Sequence, residues 1–76
     1  MEFNRDLFSE RIQQLRVNKN LSQKQLAAEL GLSQQTVGHW ETGLRVPSLE
    51  LAFTLANYFD VSLDYLVGRS DDLTRR

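Results

Sequence analysis

Apolar residues recur along this chain with helical spacing, in five short runs separated by small polar residues and glycines. Phe8, Ile12 and Leu15 share one stripe, and Leu26, Ala27 and Leu30 share a second. Val37 and Trp40 form a third, Leu49, Ala52, Leu55, Ala56 and Phe59 a fourth, and Leu66 anchors a fifth. No window alternates convincingly with the two-residue period of a strand. One start signal precedes four of the runs: an apolar residue, a small polar residue next to it, and an apolar residue five positions after the first. The instances are Phe3–Asn4–Phe8, Leu21–Ser22–Leu26, Leu32–Ser33–Val37 and Val61–Ser62–Leu66. The polar side chain accepts from an orphan N–H of the first turn, and the apolar pair staples the chain entry. Gln25 lies three residues after Ser22 and completes a capping box. Pro47–Ser48, with Glu50 in the first turn, marks a fifth start. Gly31, Gly43 and Gly68 follow the periodic stretches and suit the left-handed residue beyond a helix end. The spacing predicts helices over 4–19, 23–30, 34–41, 49–59 and 63–67, hence an all-α five-helix cluster.

Composition narrows what such a cluster does. The chain has 76 residues, too few for two cores. The domain is expected over 1–68. Residues 69–76, with three Arg and two Asp, form a polar tail expected to be disordered and solvated. There is no Cys, which removes disulfides, thiolate zinc sites, iron–sulfur clusters and cysteine nucleophiles. His39 is the one histidine, so a histidine metal cluster is also unsupported, and no cofactor is expected. No nucleophile–base pair or carboxylate dyad is spaced for chemistry, which argues against an enzyme. The apolar runs are too short to span a bilayer and no secretory pattern occurs, so a soluble cytoplasmic protein is expected. Nine Lys and Arg stand against ten Asp and Glu, for a net charge of −1. That balance does not mark a protein that holds polyanions by bulk charge.

The stretch Gln23–Glu41, QKQLAAELGLSQQTVGHWE, changes that picture. Two short helices joined by a glycine-containing turn are the sequence image of a helix-turn-helix. Ala27 falls where the helices cross, so the backbones approach closely. Gly31 falls in the turn, where a positive φ suits glycine. Leu26, Leu30, Leu32, Val37 and Trp40 would hold the crossing from below. The outward side of the second helix carries Gln34, Gln35, Thr36, Gly38 and His39, with no charge before Glu41. An ordinary solvated face of this length carries charge. Gln pairs in bidentate fashion with adenine N6 and N7, Thr reaches a phosphate or a thymine methyl, and His donates to guanine N7 or O6. The bland alternatives are solvated glutamines, an exposed helix histidine and, for Gly38, a residue that lets a partner backbone approach.

Residues from about 10 to 68 resemble the Cro/λ-repressor and Xre-type helix-turn-helix family. The stretches are R-I-x-x-L-R at 11–16, L-S-Q-K-Q-L-A at 21–27 and G-L-S-Q-Q-T-V at 31–37. W-E-T-G at 40–43, P-S-L-E at 47–50 and F-D-V-S-L-D-Y-L at 59–66 complete the pattern. The resemblance implies a five-helix fold and a dimer that reads palindromic double-stranded DNA. It implies base readout by Gln34, Gln35 and His39. It implies phosphate contacts from Gln23, Lys24, Ser33, Thr36 and Arg45, the last in a loop whose backbone N–H groups also bind phosphate. Gln23 would brace Gln34, and Arg16 and Glu41 would pair to tie the first helix to the third. Two departures stand out. Gly38 replaces the Ser or longer residue common there, and loop 43–46 has a single basic residue.

Helices four and five carry more apolar surface than one small core covers: Leu51, Phe53, Tyr58, Leu63 and Tyr65. One reading is a thick core. The other is a homodimer patch of Phe53, Tyr58, Leu63 and Tyr65. The function expected is sequence-specific transcriptional regulation, as a repressor at a pseudo-palindromic operator. The alternative is an antitoxin or antirepressor target that works chiefly through a regulatory protein partner. No small-molecule site or membrane role is indicated. Residues 21–40 carry only Lys24 and Glu29, so few counterions would be released on DNA and the salt dependence should be shallow.

Overall fold

Five side-chain caps set the five helices. Asn4, Ser22, Ser33, Ser48 and Ser62 each accept from the backbone N–H three residues on. Ser22 and Gln25 bond reciprocally, so the capping box is complete. In this computed structural model, which describes residues 3–74, the helices are α1 (Arg5–Asn18), α2 (Gln23–Leu30), α3 (Gln34–Thr42), α4 (Leu49–Phe59) and α5 (Leu63–Leu66). Each agrees with the sequence-predicted range to within one residue. Gly31 and Gly43 end α2 and α3 in the left-handed region, at φ 71° and 78°. Asp60 ends α4 in the same way at φ 56°, a role sequence reasoning missed. Among non-glycine residues, Asp and Asn tolerate that conformation best.

The helices pack as α2 on α3, α1 on α3, α4 on α5 and α1 on α5. Trp40, Phe8, Ile12, Leu26, Leu55, Leu66 and Val37 are the largest fully buried side chains. Ala27 is buried at the α2–α3 crossing, as its size predicts. Leu15, Leu30 and Leu51 are partly buried against this core. Leu49 is a correction: expected in the core, it is 76% exposed. It opens α4, and a helical side chain leans toward the N-terminus of its helix, here beyond the packed layer.

The tail also differs from expectation. Residues 69–74 are tied down rather than free, while Arg75 and Arg76 lie outside the described residues, as do Met1 and Glu2. The backbone N–H of Ser62 donates to the Leu73 carbonyl at 3.1 Å, and the Ser62 hydroxyl to the Asp72 carbonyl at 3.2 Å. Arg11 holds this closure from α1. It is 7% exposed, and its guanidinium donates to the Tyr65 carbonyl, the Ser70 carbonyl at 2.8 Å and Asp71 Oδ1 at 2.7 Å. It also stacks on the Tyr65 ring, 4.0 Å from the centroid. These partners lie 54 to 60 residues away in sequence, so no local pattern announces them.

Arg11→Met keeps the buried stem and removes the donors. Amide exchange at Ser62, whose N–H points at the tail, is expected to speed up about tenfold or more. Unchanged exchange would mean that the tail closes without Arg11.

Candidate nucleic-acid interface

The outward face of α3 follows from what its other face buries. Val37 and Trp40 are buried, which turns Gln34, Gln35, Gly38 and His39 away from the core. Gln34 and Gln35 are exposed; Thr36, Gly38 and His39 are half-buried. Neither Gln34 nor Gln35 has a side-chain hydrogen bond to another described residue. Three residues expected to read bases therefore share one rigid helical stripe with Gly38. Behind it, the Ser9 hydroxyl donates to the Trp40 carbonyl at 2.7 Å and fixes α3 to α1.

The expected phosphate contacts are less uniform. Lys24 and Arg45 are exposed, with side chains available to an anion. The Ser33 hydroxyl caps the Thr36 N–H at 3.2 Å and bonds the Thr36 hydroxyl at 2.9 Å. Both residues sit at the α3 N-terminus, where the helix dipole favours negative charge. In the 43–46 loop, the N–H groups of Leu44 and Arg45 donate to the His39 carbonyl at 3.0 and 3.2 Å. They close the end of α3 instead of facing outward, so of the loop groups expected to meet phosphate the Arg45 side chain is the one left exposed. Arg5, which sequence reasoning missed, donates to the Gly43 carbonyl at 3.1 Å and brings a second cation to this loop. Thirty-eight residues separate the two, beyond the reach of any motif.

The Arg16–Glu41 pair is present and bidentate. Arg16 Nε meets Glu41 Oε2 at 2.6 Å and Arg16 Nη2 meets Oε1 at 3.0 Å. The side chains are 12% and 4% exposed. The hydrogen bond to Glu41 pushes the Arg16 pKa up, burial opposes it, and the carboxylate charge adds to the rise. A raised arginine pKa contributes stability that is complete below the unfolded value and is lost only as pH rises through the folded one. Arg16 Nη1 also reaches the Leu21 carbonyl at 2.7 Å. Gln23 Nε2 donates to Glu41 Oε1 at 3.1 Å, a bond the sequence did not announce, and no side-chain hydrogen bond joins Gln23 to Gln34 in the DNA-free chain.

Of the expected dimer residues, Phe53 is 57% exposed. Tyr58, Leu63 and Tyr65 are half-buried against the core. Tyr58 stands edge-on to Phe59 with centroids 5.1 Å apart, and Tyr65 lies under Arg11. Phe53 and Leu63 border an open cavity of about 480 Å³ that runs to Ser70 and Asp72 of the tail. Among the described residues no group of three His, Cys, Asp or Glu could hold a metal, and no helix is long and apolar enough to cross a membrane.

The family described as helix-turn-helix matches residues 12–66. The HTH-type transcriptional activator BcrR of Enterococcus faecalis is 37% identical over 88% of this chain and 33% of its own length. The cryptic phage CTXphi transcriptional repressor RstR of Vibrio cholerae is 34% identical over 86% of this chain and 59% of its own. The chain thus spans between a third and about three-fifths of the length of such relatives. The solution structure of the SOS-response transcriptional repressor LexA from Eubacterium rectale superposes with a TM-score of 0.76. It is 26% identical over 88% of this chain and 73% of that one. These relatives are transcriptional regulators rather than enzymes.

Gly38 has helical geometry, and a Cβ there would meet only Gln23 Oε1 at 3.6 Å, an ordinary contact. No intramolecular reason for the glycine is visible. Gly38→Ala is expected to raise stability by about 0.5–1 kcal/mol through helix propensity, and Tm by roughly 3–8 °C. A melting curve checks it, and a fall in Tm would reveal a steric need inside the fold.

Proposed function

The chain belongs to the helix-turn-helix family, and we propose that it is a cytoplasmic repressor that binds double-stranded DNA sequence-specifically. The observation that carries this is the stripe Gln34, Gln35, Gly38 and His39: outward, uncharged, and mounted on a helix whose other face is buried. In the major groove, Gln34 and Gln35 offer adenine a donor and an acceptor, and His39 offers guanine a donor. Lys24 and Arg45 reach flanking phosphates, with Ser33 and Thr36 setting the helix N-terminus against another. Gly38 lets the helix axis approach the bases closely. A homodimer would hold two copies of α3 about 34 Å apart on a pseudo-palindrome. Repression follows from occupancy of the operator. Relatives named both activator and repressor are similar to the chain over this domain.

Gln34→Ala and Gln35→Ala are expected to relax operator preference by about 1–3 kcal/mol per base pair lost. Both side chains are exposed, so thermal stability should barely change. Selection of bound DNA from a random pool at fixed salt, with melting curves, checks this; unaltered preference removes these residues from base readout.

The second reading, a module that works through a protein partner on α4 and α5, draws support from the exposed Phe53 beside the open cavity. Phe53→Ser is expected to leave a folded monomer where the wild type sediments as a dimer, with weaker operator binding. Unchanged sedimentation removes Phe53 from the dimer interface. Loss of a regulatory partner with intact operator binding would favour the second reading.

A further inference from the structure

We propose that Arg5 is a further phosphate-binding cation of the DNA face, a contact from α1 that lies outside the helix-turn-helix. The inference rests on the reading of α3 as the helix that enters the major groove. Cations elsewhere in the fold have partners. Arg11 pairs with Asp71, Arg16 with Glu41 and Arg69 with Asp64, and the Lys19 ammonium sits 4.9 Å from the centre of the Tyr58 ring. The remaining cations among the described residues are Arg5, Lys24 and Arg45, and none of them is paired with a carboxylate or an aromatic ring. All three border α3. Arg45 follows it, and its backbone N–H donates to the His39 carbonyl at 3.2 Å. Lys24 adjoins Gln23, whose amide meets Glu41 near the end of α3. Arg5 reaches Gly43, the residue that closes the helix. The unpaired positive charge is thus gathered around one helix, where a polyanion lying along α3 would meet it.

Arg5 is held along its whole length. Its stem lies across Gly43: a Cβ there would meet Arg5 Cγ at 3.7 Å and Cδ at 3.8 Å. Its Nη1 donates to the Gly43 carbonyl at 3.1 Å and leans toward the Leu44 carbonyl at 3.5 Å. Nε and Nη2 have no partner among the described residues, and the residue is exposed. A guanidinium carries donors on more than one edge. Here one nitrogen holds the loop, and the remaining edge faces solvent, free for phosphate oxygens. Much of the rotamer freedom that a long cation loses on binding is already lost in folding. The plainer role is a cap on the carboxyl end of α3, where a cation suits the last carbonyls. That role uses Nη1 alone and leaves the outer edge without a task. Together with Lys24 on α2 and Arg45 on the loop, Arg5 places positive charge on three separate segments. A duplex backbone that touches all three is held in one orientation against α3. Such contacts fix register without reading sequence.

The test uses the full chain and an operator selected by it from random DNA, with Arg5→Met, Arg5→Lys and, as a charge control, Arg69→Met. Affinity is measured across a range of salt concentrations, and melting curves accompany each variant. Arg5→Met should weaken binding about tenfold, by the same factor on the operator and on its single-base variants. It should also lower the slope of log K against log salt by about 0.9 for each Arg5 in the complex. Arg5→Lys should keep most of that slope, and Arg69→Met all of it. The direct measurement replaces single phosphates of the operator by neutral methylphosphonates. At one flanking position the replacement should cost the wild type affinity and cost Arg5→Met nothing. The contact is overturned by the absence of any such position, by an unchanged slope with Arg5→Met, or by an equal fall with Arg69→Met. A lower Tm of Arg5→Met with an unchanged slope makes Arg5 a helix cap and no more. A methylphosphonate effect that persists while Gln34→Ala and Gln35→Ala leave operator preference unaltered keeps the Arg5 contact and sinks the base readout alone.

Discussion

The structure hangs on one partly buried ion pair. Arg16 closes α1, Glu41 closes the buried side of α3, and the two meet in a fork that also takes in the Leu21 carbonyl and the Gln23 amide. Four segments are thereby held at one point: the end of α1, the turn after it, the start of α2 and the end of α3. Desolvating the two charges opposes much of their attraction, so an apolar pair of the same volume would serve stability as well. An apolar pair would have no direction, however. The guanidinium fork sets the carboxylate plane, and the carboxylate sets which way an amide turns. Removing either partner alone would cost about 3–5 kcal/mol, a large fraction of what a domain this small has. Loss of binding on such a change would report unfolding unless stability were measured beside it.

Elsewhere the fold compensates for its size by closing ends. Helices of 4 to 14 residues are marginal in isolation, and each here begins with a side chain on an otherwise unpaired N–H. Arg11 does for the C-terminal region what Arg16 does for the helix-turn-helix. It is a charge taken into the interior and fully occupied, by two carbonyls, an aromatic face and one carboxylate. No buried polar side-chain atom among the described residues lacks a partner. In a small core, one unpaired donor would weigh heavily against the few apolar side chains that are fully buried.

What was legible in the sequence was local. Caps, glycine stops and helical stripes are written within a few residues of one another, and they placed all five helices. The outward stripe of α3 was legible for the same reason, since Val37 and Trp40 set its phase. What was hidden depends on contacts across the chain. Arg11 and Arg5 received no structural role from the sequence because their carbonyl partners lie far along the chain. Leu49 fits the stripe of α4 by spacing, yet spacing does not say where the layer beneath it ends. The bond from Gln23 to Glu41 was hidden because a family pattern names positions, whereas the partner an amide takes depends on which acceptor is near.

The even charge balance first counted against nucleic acid, and the structure resolves it by position. Several carboxylates are occupied in the fold: Glu41 with Arg16, Asp71 with Arg11, and Asp64 3.9 Å from Arg69. Two of those contacts lie at α5 and the tail, away from the α3 stripe. On the outward face of α3 stand two exposed amides and a half-buried imidazole, with Lys24, Arg45 and Arg5 at its margins. Such a surface has little long-range attraction for DNA in general. Under the proposed readout its affinity comes from hydrogen bonds made at contact distance, so a surface with few cations has chiefly the geometry of its polar contacts with which to hold a site.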